Sequence, residues 1–134
     1  MDIVVLIARV LFAAIFLASG LGHLTQTEAM AGYAKFKGVP APKVSTIVSG
    51  LLMIVGAVSV VFGVWGDLGS LLLLVAVAPI AFLMHQYWKE QGESRMNEQV
   101  QFNKTLSLSG GALALFALFA LVPELGLTVT GPLF

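Results

Sequence analysis

An all-α membrane protein, with four transmembrane helices in an up-down-up-down bundle, is the fold class this sequence predicts. Three observations predict it. Four apolar runs, at about 3–22, 47–65, 68–84 and 106–123, occupy most of the 134 residues. Hydrophobic residues make up 58% of the chain and charged residues 10%, and mean hydropathy is +0.96. The polar stretches between the runs, 24–43 and 86–103, are too short to bury a core of their own. A helix crosses the hydrocarbon with roughly 20 apolar residues, within about 17–25, and each run meets that length. The expectation is one membrane domain over 1–134, with helices at about 3–23, 45–65, 68–88 and 104–123.

The first helix begins after Met1-Asp2. That start has no positive charge, and the run is longer than a signal-peptide core, so an uncleaved helix is expected. Of the four runs only this one holds a charge, Arg9. About six residues into the helix, the group lies well below the surface, where burying a charge is costly. Two readings stand. Arg9 faces the bundle and binds an acid, a quinone oxygen or a lipid phosphate; or it snorkels to the headgroups or pairs at the rim with Asp67 or Glu124.

The connection 24–43 holds Thr25, Thr27, Gly38 and Pro40. Thr25 or Thr27 caps a short helix over 28–36, which Gly38 and Pro40 end. Met30, Tyr33, Phe36 and Lys37 share a face, as in a helix lying in the interface.

The second and third helices are separated by little more than Gly66-Asp67, so they are antiparallel neighbours. Pro79 falls inside the third helix and has no N–H for the Val75 carbonyl. It is either an ordinary kink or a place where a ligand approaches. Gly20, Gly50, Gly56, Gly110 and Gly111 supply small-residue surfaces on which helices can meet, within the bundle or on a partner.

Lys and Arg set the orientation. Lys35, Lys37 and Lys43 lie in one long loop, with Lys89, Arg95 and Lys104 in or beside the other. The short turn and both termini have none. By the positive-inside rule, loops 24–43 and 89–103 are cytoplasmic and the termini are outside. Residues 125–134 are too short to span, and lie at the outer surface or on a partner.

Three polar groups then share the cytoplasmic side: His23, the segment His85-Gln86-Tyr87-Trp88, and Lys104 with its neighbours. A polar network of His23, His85, Tyr87 and Lys104 closes the base of the bundle. Ligand or quinone contact through Arg9, His85 and Trp88 is the sharper reading. Haem or metal ligation by the histidines is a third, with no acid or Cys to complete a set. Tyr87 and Trp88 also suit an interfacial aromatic belt.

Composition excludes several classes. There is no cysteine and the net charge is zero. Thiolate chemistry and Fe–S ligation are therefore absent, and so is a basic stripe for nucleic acid. No catalytic residue and no metal site are assigned.

The chain resembles the DoxX family of small four-helix bacterial membrane proteins. The resemblance rests on Arg9, Ser19-Gly20-Leu21-Gly22-His23-Leu24 and Gly38-Val39-Pro40-Ala41-Pro42, followed by His85-Gln86-Tyr87-Trp88 and Phe102-x-Lys104 through Gly110-Gly111. It implies a multi-pass protein of the bacterial inner membrane. The family takes its name from a subunit associated with a thiosulfate:quinone oxidoreductase, and other members are linked to oxidative-stress defence. Two departures stand out. His23 replaces a lysine common in members, and Ser49-Gly50-Leu51-Leu52 lacks a glutamate often found in that helix, which would be a partner for Arg9.

The function expected is an accessory or anchoring subunit of a quinone-linked membrane redox complex, with no redox centre of its own. Its partners are the bilayer and membrane-protein subunits; no cofactor is assigned to the chain itself, and a quinone is the one ligand left open. The alternative is a small homo-oligomeric transporter or channel. A stand-alone enzyme needs polar groups converging in one pocket, and here they are scattered.

Overall fold

The computed structural model describes residues 1–134, as five α-helices, one short 3₁₀ turn and no strand. The helices are α1 (Asp2–Thr25), α2 (Thr27–Phe36), α3 (Pro42–Phe62), α4 (Gly66–Met84) and α5 (Gly92–Leu121); the 3₁₀ turn is Tyr87–Lys89. Four of them, all but α2, are long and apolar enough to cross a membrane. The short helix expected in the first long loop is α2, and Gly38, at φ +80°, follows its end.

Three boundaries differ from the sequence expectation. The turn between α3 and α4 is Gly63–Trp65, earlier than Gly66-Asp67, because Gly63 takes the left-handed conformation that closes α3 (φ 63°). The third spanning helix stops at Met84, and His85 leaves helical geometry. The stretch 89–103 is not a loop: α5 starts at Gly92, and its 30 residues span about 45 Å. The hydrocarbon core is about 30 Å thick. The polar first turns of α5, roughly 92–103, therefore project beyond the apolar part.

Helix contacts are made where side chains vanish. A Cβ on Gly20 would lie 2.7 Å from Ile54 Cγ1 and 2.9 Å from the Gly50 carbonyl; one on Gly50 would lie 2.7 Å from His23 Cβ. A Cβ on Gly56 would lie 2.8 Å from the Gly69 carbonyl, and one on Gly111 would lie 2.6 Å from the Phe12 ring. So α1 packs on α3 and α5, and α3 on α4, with close approach replacing hydrophobic drive. Paired positions rise on one helix and fall on the other. Arg9 meets Val60 and His23 meets Thr46; Phe82 meets Phe102 and His85 meets Glu98. These are antiparallel contacts. Gly110 alone among the five packing glycines has open space before it.

The core is narrow: Ala13, Phe16, Met53, Ala57, Val60, Leu73, Ala76, Val77, Ala112 and Phe119. Outside it, Leu11, Val55, Val75 and Leu113 are half exposed or more. Such a belt would drive aggregation in water. In lipid it is the ordinary solvated surface.

Arg9 corrects the snorkelling expectation. It is fully buried and lies level with the last turn of α3. Its Nε donates to the Val60 carbonyl (2.8 Å), one terminal nitrogen to Val61 (2.6 Å) and the other to Leu127 (2.9 Å). The guanidinium also lies over the Phe119 ring, 5.5 Å from its centroid. The last carbonyls of a helix have no partner within it. Here Val64 N–H serves Ser59, Arg9 serves Val60 and Val61, and Val129 N–H serves Phe62. Arg9 needs no carboxylate, because the negative end of the α3 dipole is its counter-charge. It has no ion-pair partner at the rim.

The C-terminal segment folds back onto this same end. Leu127 takes Arg9, and Thr130 N–H reaches the Gly63 carbonyl. The buried Asp67 accepts from the Leu133 and Phe134 N–H groups at 2.7 Å each through one oxygen. Its other oxygen has no partner.

Candidate functional site

The candidate site is at the opposite end, where the long connections lie. Residues of α1, α2, α3 and α4, Pro79 among them, enclose a cavity of about 500 Å³. That size suits a small-molecule site. Its apolar wall includes Met30, Leu52, Val75, Ala76, Ile80 and Met84, and its polar lining is His23, Tyr33, Ser45, Thr46, Ser49 and His85. Val48, Val75 and Leu83 flank it and are exposed on the lipid-facing surface. The α3–α4 side of the cavity is thus bordered by exposed apolar side chains.

Pro79 and Val75 both line this cavity. A proline at 79 offers no N–H to the Val75 carbonyl, so a backbone acceptor stands beside the apolar wall.

His23 is held by α3. Its Nδ1 lies 2.9 Å from Ser49 Oγ and 3.2 Å from the Thr46 carbonyl. Ser49 itself donates to that carbonyl at 3.1 Å, so both neighbours act as acceptors toward the ring. Nδ1 therefore carries the hydrogen, an assignment made from the network.

His85 is held by α5. Its Nδ1 is 2.9 Å from Glu98 Oε2. The other oxygen of Glu98 accepts from Lys37 Nζ at 3.1 Å and Tyr33 Oη at 3.3 Å. Lys37 also reaches Glu90 at 3.4 Å. One carboxylate thus ties α2, the end of α4 and the projecting start of α5 together. Burial raises the Glu98 carboxyl, but the His85 and Lys37 hydrogen bonds outweigh it and hold it below the usual carboxylate range. For Lys37, burial is likewise outweighed, and Glu98 with Glu90 holds the ammonium above its ordinary value.

The structure brings together only part of the expected site. His23 and His85 both line the cavity. Arg9 does not; it is fourteen residues from His23, roughly 21 Å along α1. Trp88 is half exposed and packs edge-on against Tyr87 (5.3 Å) and Phe102 (5.9 Å). Tyr87 meets Phe102 as well (5.4 Å) and has Arg95 over its ring. Tyr87 and Trp88 therefore pin the α4–α5 connection, outside the His85–Glu98 contact. Lys104 is exposed and makes no ion pair. Sequence reasoning missed Glu98, Lys37, Tyr33 and Ser49. No three His, Cys, Asp or Glu side chains gather as metal ligands.

Comparison with known proteins locates the chain. The model of the DoxX family matches residues 4–86, which include His23, Glu28, Pro79 and His85 but not Glu98. The inner membrane protein YqjF of Escherichia coli K12 is 31% identical over 114 residues, covering 85% of this chain and 82% of that protein. The inner membrane protein YphA of the same strain is 24% identical over 113 residues, covering 84% and 81%. No solved structure matches the chain.

Proposed function

The chain belongs to the DoxX family of inner membrane proteins, and on that premise we propose that it is an accessory or anchoring subunit of a quinone-linked membrane redox complex. In this reading it binds the ring and first tail units of a quinone-like amphiphile and presents them to a partner. The observation that carries it is the cavity between α3 and α4, apolar along its walls and polar where His23 and His85 meet it. An amphiphile dissolved in the bilayer enters such a site without leaving hydrocarbon, and its head finds the polar groups.

The polar lining suits the head of a quinone–quinol couple and little else of redox chemistry. Imidazoles and hydroxyls line the cavity, and the chain has no cysteine. The bound amphiphile would supply the redox chemistry, and electrons would come from or go to the partner. This chain's residues bind and orient: Ser49 and Thr46 fix His23, Glu98 fixes His85, and α2 covers the head. Arg9 takes the structural role described above, and Trp88 supports the α4–α5 connection.

The six basic residues at this end support a cytoplasmic placement of the cavity, with both termini outside. The outer face of α5 at Gly110, open to its surroundings, is the surface proposed for the partner helix.

Purification in nanodiscs, with mass spectrometry of co-purifying proteins and extractable quinones, tests this reading. Stoichiometric recovery of a membrane dehydrogenase or oxidase together with a quinone is expected. A clean homo-oligomer with neither would overturn it and bring transport forward.

A further inference from the structure

We infer that the cavity selects amphiphiles whose heads donate hydrogen bonds: it takes the hydroxylated, quinol-type head in preference to the carbonyl-only, quinone-type head. This rests on the reading of the cavity as an amphiphile site and adds to it the chemical form of the ligand.

Each side-chain polar hydrogen that lines the cavity has an acceptor within the protein. Ser45 Oγ donates to the Pro40 carbonyl at 2.7 Å, and Thr46 Oγ1 to the Pro42 carbonyl at 2.8 Å. Ser49 Oγ donates to the Thr46 carbonyl at 3.1 Å, and Tyr33 Oη to Glu98 at 3.3 Å. His23 and His85 each direct Nδ1 to acceptors, on α3 and on Glu98 respectively. The Val39 N–H is tied to the Ala34 carbonyl, and Pro40 and Pro79 have no N–H at all. Every side-chain donor of the lining is therefore committed inside the protein.

Acceptors remain. In a neutral imidazole whose Nδ1 carries the hydrogen, Nε2 presents a lone pair. Neither Nε2 has a partner in the protein, and neither is sealed from its surroundings. The hydroxyl oxygens keep lone pairs, and Pro79 leaves the Val75 carbonyl without its helical donor. A quinone carbonyl facing this lining meets only other acceptors. A quinol hydroxyl supplies the hydrogen that each of them lacks. A site made of acceptors discriminates strongly against an analogue that brings no donor, because its own polar groups then stay unpaired.

The test uses the full chain in phosphatidylcholine nanodiscs, under anaerobic conditions, at about pH 8.5. Three probes are titrated: a decyl-substituted benzoquinol, the corresponding quinone, and the bis-methyl ether of the quinol. The ether keeps the shape of the quinol and removes both hydrogens. The expected result is quinol affinity about tenfold or more above both others, the effect of one buried hydrogen bond. His23→Phe and His85→Phe are each expected to lower quinol affinity toward that of the quinone, and to change quinone affinity little. Should either variant fail to fold, the three-probe comparison on the unaltered chain decides. Quinone or ether binding as tightly as the quinol would overturn the inference and leave the amphiphile cavity standing. Binding of none of the three would remove the cavity reading, and this inference with it.

Discussion

Replacing Arg9 by leucine tests the claim that a charge inside a membrane helix is here a helix cap. The guanidinium serves three carbonyls, those of Val60, Val61 and Leu127, and the residue is fully buried. A leucine fills most of the volume but leaves three acceptors unpaired. Each such acceptor costs about 1–3 kcal/mol. Side-chain hydrogen bonds measured within membranes average nearer 0.6 kcal/mol, and removing the charge relieves the cost of burying it. The low end of these figures gives a loss of about 2–4 kcal/mol. Arg9→Lys keeps a positive charge at the α3 dipole but loses the planar fork, so about half of that loss is expected. Equilibrium unfolding in mixed micelles, followed by circular dichroism, reads the stability. Carboxypeptidase digestion reads the release of 122–134, which Arg9 helps to hold. If Arg9→Leu unfolds within about 0.5 kcal/mol of the unaltered chain and its tail stays protected, the guanidinium is not a cap.

Two further predictions follow from the packing glycines and the loop-end carboxylate. Gly50→Leu is expected to abolish folding, since even a Cβ there meets His23 and the Gly20 carbonyl; Gly110→Leu is expected to keep helix content and thermal stability while partner recovery falls. Gly50→Leu folding normally, or Gly110→Leu retaining the partner in full, would count against these assignments. Glu98→Gln is expected to cost about 1–3 kcal/mol, because Lys37 and His85 lose a largely buried anion. The pH dependence follows in sign: Glu98 sits below the carboxylate range in the folded chain, so its contribution is present above that range and is lost as pH falls through the folded value. Lys37 sits above the ordinary ammonium value, so its contribution is present below that value and is lost as pH rises through the folded one. The acid-side loss in a stability-versus-pH titration disappears in Glu98→Gln; an unchanged acid limb would refute the network.

Fold class was legible because hydrocarbon leaves few choices: four runs of sufficient length must be helices. The end of each run was less legible. A polar stretch reads as a loop, yet 92–103 is helix. A signal for it existed in the buried stripe of α5, where Ala112, Ser109 and Thr105 step back by three and four residues. The same steps continue to Phe102 and Glu98, both partly buried. Following that stripe past the last apolar residue points Glu98 toward the bundle, where His85 meets it. Arg9 was found but misplaced, because depth was counted along α1 alone. The register of α1 against α3, which Gly20 and Gly50 set, puts it level with the end of α3. The tail that completes its shell, at Leu127, lies 118 residues away in sequence, beyond any local pattern.

The two ends of the bundle handle polar groups in opposite ways, and that contrast supports the proposed site. At the end holding the termini, carbonyls left over by α3 are met by donors from Arg9 and from the returning tail. Among the buried side-chain atoms, one oxygen of Asp67 is left without a partner there, sealed from its surroundings. At the other end the side-chain donors are turned inward onto backbone carbonyls and Glu98, and imidazole nitrogens and a proline-freed carbonyl are left over beside exposed apolar side chains. Judged by charge alone, Arg9 is the residue to examine. Judged by which hydrogen-bonding capacity the protein leaves unmet, the proposed site is the one around His23 and His85. In a bilayer, where unmet capacity is costly, an end that keeps acceptors open favours the proposal that it receives donors from a ligand.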